Sequence, residues 1–167
     1  MIKADFSDLE KCIKDVEAYK KKFDDNVHEV VKQTVKYGEG QAKYEFNLAQ
    51  YDGENDVKVT SKVFKKSGTV TASGQAVLFI EFGTGIYYPH NHPEASKFGF
   101  VPGSYGPNGL KRTWGYYGVP GTHGVVRGSN ERGQLVTTHG NPSNKCMYNT
   151  GKKMERMAPL LARGIFI

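Results

Sequence analysis

The sequence predicts one domain in which helices at the two ends enclose a set of short strands, and three observations predict it. Residues 7–37 carry an apolar stripe at steps of three and four, residues 56–82 change to alternation and short apolar runs, and residues 144–162 return to helical spacing. A chain of 167 residues suits a single unit, here residues 1–167, and is large enough to bury a core without disulfides or metals.

The first helix is the clearest element. Leu9, Cys12, Ile13, Val16, Tyr19, Phe23, Val27, Val30, Val31, Thr34 and Val35 fall on one face. Ser7 followed by Glu10 has capping-box spacing, in which the serine oxygen and the glutamate carboxylate satisfy free backbone N–H groups of the first turn. Lys20-Lys21-Lys22 and Asp24-Asp25 interrupt only the outer side and read as a solvated face. Gly38 and Gly40 predict a stop or kink, with Gln41 to Leu48 as a short second helical piece.

From Asp56 the period is two: Val57, Val59 and Val63 alternate with Lys58, Thr60 and Lys62, as in a half-buried strand. Ser67-Gly68 turns the chain into a second strand around Thr69 to Ala72. Ser73-Gly74 turns it again before Ala76-Val77-Leu78-Phe79-Ile80, which is expected to be the central strand. That run ends in Glu81-Phe82-Gly83-Thr84-Gly85, where two glycines mark a sharp turn.

Residues 83–143 are expected to form a long loop with a hairpin in it, for they hold 13 of the 20 glycines and 6 of the 7 prolines. Two weaker strand signals lie there, Thr113 to Val119 and the pair Val125-Val126 with Gln134 to Thr138 across Gly128 to Gly133. In the last segment Met147, Met154, Met157, Leu160 and Leu161 recur near helical spacing, Ser143 or Asn144 is the expected cap, and Pro159 is expected to end or kink the helix.

Charge is unevenly placed. Residues 1–66 balance 13 Lys+Arg against 13 Asp+Glu, so the formal excess of +6 lies wholly in the rest, 10 against 4. No apolar run approaches a membrane span, and the amino end lacks the apolar stretch of a secretory signal, which points to synthesis in the cytoplasm. Cys12 and Cys146 have no metal-type spacing and read as free thiols.

Candidate chemistry is sparse. Glu81 closes an apolar run but has no second acid nearby for general acid and base work, so a structural carboxylate that accepts backbone hydrogen bonds from the glycine turn or pairs with a basic residue is the better reading. Gly83-Thr84-Gly85 lacks the glycine spacing and Lys-Ser/Thr pair of a phosphate loop. His90 and His92, with His123 or His139, have the residue type for a metal but no accompanying carboxylates or cysteine pair. Lys97, Lys111, Arg112, Arg127 and Arg132 are interleaved with aromatics, yet too widely spread for a nucleic-acid grip; they suit an acidic protein partner, or proximity to DNA without specific contact. Nucleophile elbows, zincin helices and dinucleotide fingerprints are absent, and no catalytic, cofactor or metal residue is assigned.

The run Thr71-Ala72-Ser73-Gly74-Gln75-Ala76-Val77-Leu78-Phe79-Ile80-Glu81-Phe82-Gly83-Thr84-Gly85, followed later by Gly140-Asn141-Pro142 and Met147-Tyr148-Asn149-Thr150, resembles the tail-completion and head-to-tail connector proteins of long-tailed bacteriophages, often described as minor capsid or minor tail proteins. Members of that family have a long amino-terminal helix, a strand ending in a Glu-Phe-Gly-Thr-Gly type turn, a variable loop, and a final helix introduced by a proline-containing Met-Tyr segment. The resemblance is good over 57–85, moderate over 140–163 and loose over 7–37. It departs at Asn144-Lys145-Cys146, where relatives show an Arg-Pro-Phe type sequence, and in the size of the glycine-rich insertion.

What the resemblance implies is an α+β fold, with the amino-terminal helix on a mostly antiparallel sheet, and a virion protein that assembles as a ring at the neck or tail top with copies of itself and other neck and tail proteins. Glu81, Phe82, Gly83, Thr84 and Gly85 then form the structural turn at the loop base. Tyr87, Tyr88, Trp114, Tyr116, Tyr117, Met147 and Tyr148 become the expected assembly contacts, since aromatic side chains make rigid anchors. The competing reading is a small phage nucleic-acid-binding protein or metal-dependent nuclease that uses the histidines and basic residues of the loop.

Overall fold

The computed structural model describes residues 7–85, 91–100, 110–120 and 124–167. In chain order these include α1 (Ser7–Asn47), β1 (Lys58–Val63), β2 (Gly68–Ser73), a short α2 (Val77–Phe82), a 3-10 turn (Ser96–Phe98), β3 (Trp114–Tyr117), β4 (Val125–Asn130), β5 (Gly133–Thr138) and α3 (Cys146–Phe166). The class is α+β, and the pairings of the described strands are all antiparallel. They divide between two sheets, a ladder of β1 and β2 and a three-stranded sheet with β5 between β3 and β4.

The frame is α1 against α3. The two run antiparallel: the rings of Phe23 and Phe166 stand 5.3 Å apart, Asn26 Nδ2 donates to the Ile165 carbonyl, and at the other end Lys153 Nζ reaches Gln41 and Glu45. The contact with Glu45 raises the Lys153 pKa, its hydrogen bond being the main cause. Below them Phe46, Ala76, Ile80 and Cys146 form a small core, with Ala49, Val57, Val59, Ala72 and Met147 packed around it. Phe46 and Ile80 are almost wholly buried, each worth about 1.5–3 kcal/mol of apolar transfer.

Four element expectations need correction. First, α1 does not stop at residue 37 but continues through Gly38 and Gly40 to Asn47. Gly38 is buried under α3, and a Cβ there would overlap the Met154 sulfur, so it serves close helix approach rather than a break. Second, Ala76 to Ile80 is not a central strand; Val77–Phe82 is helical. The Asp56 carboxylate accepts the backbone N–H groups of Gln75 (2.7 Å) and Ala76 (2.9 Å), which start the turn from a distant part of the chain. These bonds, that of Ala76 foremost, hold its pKa below the usual aspartate value. The run of apolar residues is too short to separate a buried strand from a buried helical turn by periodicity.

Third, α3 extends to Phe166 straight through Pro159. Pro159 lies on the exposed side, where the carbonyl that loses its N–H partner is least costly to leave without one. Fourth, the span 83–143 is not merely a loop with a hairpin: it contributes an entire sheet. The hairpin of β4 and β5 is there, and the Thr113 to Val119 signal proves to be its third strand, paired Trp114 with Thr138 through Tyr117 with Leu135. Among the described residues, no helix is long and apolar enough to cross a membrane.

Candidate functional site

The site is the seam where the end of α2 meets the start of α3. An α-helix begins with N–H groups that have no partner within the helix, and the partial positive charge they carry favours an anion. The start of α3 has no side-chain cap of its own, neither Ser143 nor Asn144: Lys145 stands in the capping position with φ 58°, in the left-handed region. The anion arrives from α2 instead. Glu81 Oε2 accepts the N–H of Met147 at 2.7 Å and Oε1 that of Tyr148 at 2.9 Å.

A third donor completes the carboxylate. His92 Nδ1 accepts the N–H of Glu94 at 3.1 Å, so its proton sits on Nε2, which donates to Glu81 Oε1 at 3.1 Å. Both residues are buried, and the His92 ring lies between those of Phe82 (4.4 Å) and Tyr148 (5.6 Å). The α2 backbone is used as well: Asn144 donates its N–H to the Ile80 carbonyl, while Lys145 N–H and Ser143 Oγ donate to that of Glu81.

The chain beyond α2 is then bound to the segment before α3. Thr84 N–H donates to the Asn141 carbonyl (3.0 Å), and Asn141 N–H returns a bond to Thr84 Oγ1 (2.9 Å). Asn141 Oδ1 accepts the N–H of Asp52 at 2.6 Å, Thr138 Oγ1 donates to Asp52 Oδ2 at 2.7 Å, and Gly140 N–H donates to Thr138 Oγ1. Thr84, Asn141, Asp52 and Thr138 are all buried, in a setting where a satisfied polar network enforces one geometry and a broken one is costly. Gly83 (φ 74°) and Gly85 (φ 88°) carry the chain through the left-handed region, and a Cβ on either would press on backbone of the 139–143 strap.

Glu81 is therefore structural, as its sequence context indicates. Of the two partners expected for it, a basic residue is present in His92, while the backbone donors come from the first turn of α3 and, among the described residues, none from the glycine turn. With three donors on it, the carboxylate acts as an acceptor that pins one helix to another. Cys146 follows from the same placement: burial, and secondarily the Glu81 charge, push its thiol up to about 12. A thiol reagent at neutral pH is expected to modify exposed Cys12 rapidly and Cys146 only after unfolding. Equal rates for the two in the native protein would show that the seam opens readily.

The expected assembly residues are dispersed. Tyr87 and Tyr88 lie outside the described residues, as do His90 and His123. Trp114 and Tyr116 are half-buried and, with Tyr51, Asp52, Thr84 and Thr138, line a cavity of about 300 Å³ beside the strap. Tyr117 is exposed on the sheet, where its hydroxyl accepts from Asn130. Met147 and Tyr148 sit in the seam itself, bonded to Glu81 through their backbones. The histidines do not gather on one point that the described residues reveal: His139 Nδ1 faces the Thr113 hydroxyl and the Arg112 carbonyl, while His92 serves Glu81. Among the described residues no three His, Cys, Asp or Glu side chains are grouped to hold a metal ion.

Sequence reasoning missed Asp52 and Thr138, and it noted Asn141 only as part of Gly140-Asn141-Pro142. The available signal was a polar residue within two positions of a glycine, Asp52 directly before Gly53 and Thr138 two before Gly140. Compared with known proteins, the chain matches no family model, no curated protein and no solved structure.

Proposed function

We propose that this chain is a structural protein of bacteriophage or prophage virions, a tail-completion or head-to-tail connector subunit that forms a ring at the neck or tail top and acts by binding rather than catalysis. One observation carries the reading. The short motifs on which the resemblance rests, Glu81 to Gly85 with Gly140 to Pro142 and Met147 to Thr150, are joined to one another by hydrogen bonds. Glu81, Thr84 and Asn141 are engaged in these bonds, which suits a rigid base for binding loops. Location in the virion, contact with other neck and tail proteins, and proximity of Arg127 and Arg132 on the β4–β5 hairpin to packaged DNA belong to the same proposal.

The test replaces the turn. Gly83→Val with Gly85→Val forces β-branched residues into positive φ against the 139–143 strap, which disturbs the loop base while α1 remains folded. A phage carrying both substitutions is expected to accumulate filled heads and separate tails, counted by electron microscopy. Joined particles at normal yield, from a soluble and folded variant, would defeat the assignment.

A further inference from the structure

Basic residues that lie far apart in the sequence are gathered by the fold onto one sheet. From Ala95 to Asn144 the chain carries Lys97, Lys111, Arg112, Arg127 and Arg132 against a single carboxylate, Glu131. Lys97 pairs with Glu94. The other four belong to the three-stranded sheet: Lys111 and Arg112 lead into β3, Arg127 lies in β4, and Arg132 stands beside Glu131 in the turn to β5. All four are exposed, as is Glu131.

The sheet has two unlike faces. Register places Trp114, Tyr116, Val136 and Thr138 on the inner one, where Thr138 bonds Asp52 and the two aromatics line the cavity. Gly115, Tyr117, Leu135, Thr137 and, from β4, Val125 fall on the outer one. That outer face holds an arginine already in position. Arg127 sits at the irregularity of β4 between Val126 and Gly128; its Nε donates to Thr137 Oγ1 at 3.3 Å, and that hydroxyl donates in turn to the Val125 carbonyl at 3.2 Å. The root of the guanidinium is thereby fixed on the sheet, and its two terminal nitrogens, which no described residue engages, are left for an outside acceptor. On the same face Asn130 Nδ2 donates to the Tyr117 hydroxyl at 3.1 Å, so the phenol proton is free to donate elsewhere.

We propose that this outer face binds the phosphate backbone of duplex DNA. Its outward groups are guanidinium, amide and hydroxyl donors, the side chains that hold phosphate oxygens, and an arginine fork matches a phosphate with two parallel bonds. Asp52, the carboxylate bonded to this sheet, lies on the other side, where it does not repel a polyanion. An acidic protein partner fits less well, because Val125 and the half-buried Leu135 offer little of the apolar centre that a protein interface requires. The inference rests on the nearness to DNA proposed above and turns it into contact. Its failure leaves the ring assignment standing, since the Gly83 and Gly85 double variant tests that separately.

The full chain is titrated into a fluorescein-labelled DNA duplex of about 20 base pairs and followed by anisotropy as salt is raised. Four cations against one carboxylate leave a net of three, so affinity is expected to fall about fortyfold between roughly 50 and roughly 200 mM salt. Arg127→Ala with Arg132→Ala is expected to weaken binding about tenfold at the lower salt and to flatten the slope of log affinity against log salt by about two, with circular dichroism unchanged. Lys20→Ala, Lys21→Ala and Lys22→Ala together remove more charge, but from α1, and are expected to leave affinity within about twofold of wild type. An equal loss in that α1 variant would show that net charge alone attracts DNA and would overturn the assignment to this face. No binding at the lower salt, or binding that the Arg127 and Arg132 variant leaves intact, would overturn it as well. Polyglutamate that displaces the duplex at equal charge concentration would overturn the choice of DNA in favour of an acidic protein.

Discussion

Glu81→Gln is expected to lower folding stability by about 3 kcal/mol, read as an earlier urea midpoint at unchanged slope. The wild-type carboxylate accepts from three donors, the N–H groups of Met147 and Tyr148 and His92 Nε2, in a site where Glu81 is only 5% exposed. An amide keeps one acceptor oxygen and turns two N–H bonds toward groups that can only donate. One donor is then left facing another at a carboxylate position that is nearly buried. Amide exchange at Met147 and Tyr148 is expected to rise with the loss, because their N–H groups lose the carboxylate oxygens that accept them. Glu155→Gln is the control: its pairing with Lys152 is exposed and screened by solvent, so the urea midpoint is expected to stay close to that of wild type. A loss at Glu81 no larger than that control would remove it from the role of helix cap.

Gly140→Val is the second large effect, expected to cost about 3 kcal/mol or more and to leave a poorly folded product. Two terms add. Gly140 holds φ 104°, where a β-branched residue is strained, and a Cβ there would overlap the Thr84 carbonyl oxygen and crowd the Trp114 ring. The strap cannot yield without releasing Asn141 from Thr84 and Asp52. Gly40→Ala gives the contrast within the same protein: it lies inside α1 with open space at its Cβ, and alanine there is expected to stabilise by about 0.5–1 kcal/mol. Thermal unfolding of the two variants beside wild type distinguishes them, and similar midpoints for both would refute the tight strap.

The amino-acid sequence by itself determined the elements whose physics is local. The apolar stripe of α1, the alternation that sets Val57 and Val59 inward though not Val63, the Ser67-Gly68 turn and the β4–β5 hairpin all follow from spacing and turn chemistry within a few residues. The positive φ of Gly83 and Gly85 was legible for the same reason, whereas Glu81 and Phe82, expected in the turn, close α2. Only the tertiary structure decided the rest. Whether Ala76 to Ile80 became strand or helix depended on Asp56, some twenty residues earlier, reaching its first turn. The start of α3 depended on Glu81 rather than on Ser143 or Asn144, since a cap needs only an acceptor in the right place and not one nearby in sequence. Gly38 reads as a helix stop until α3 is laid over it, and Asp52 reads as an ordinary turn residue until Thr138 and Asn141 close around it. Long-range hydrogen bonds have no periodicity, so the sequence carries the residues of the seam without marking which of them meet.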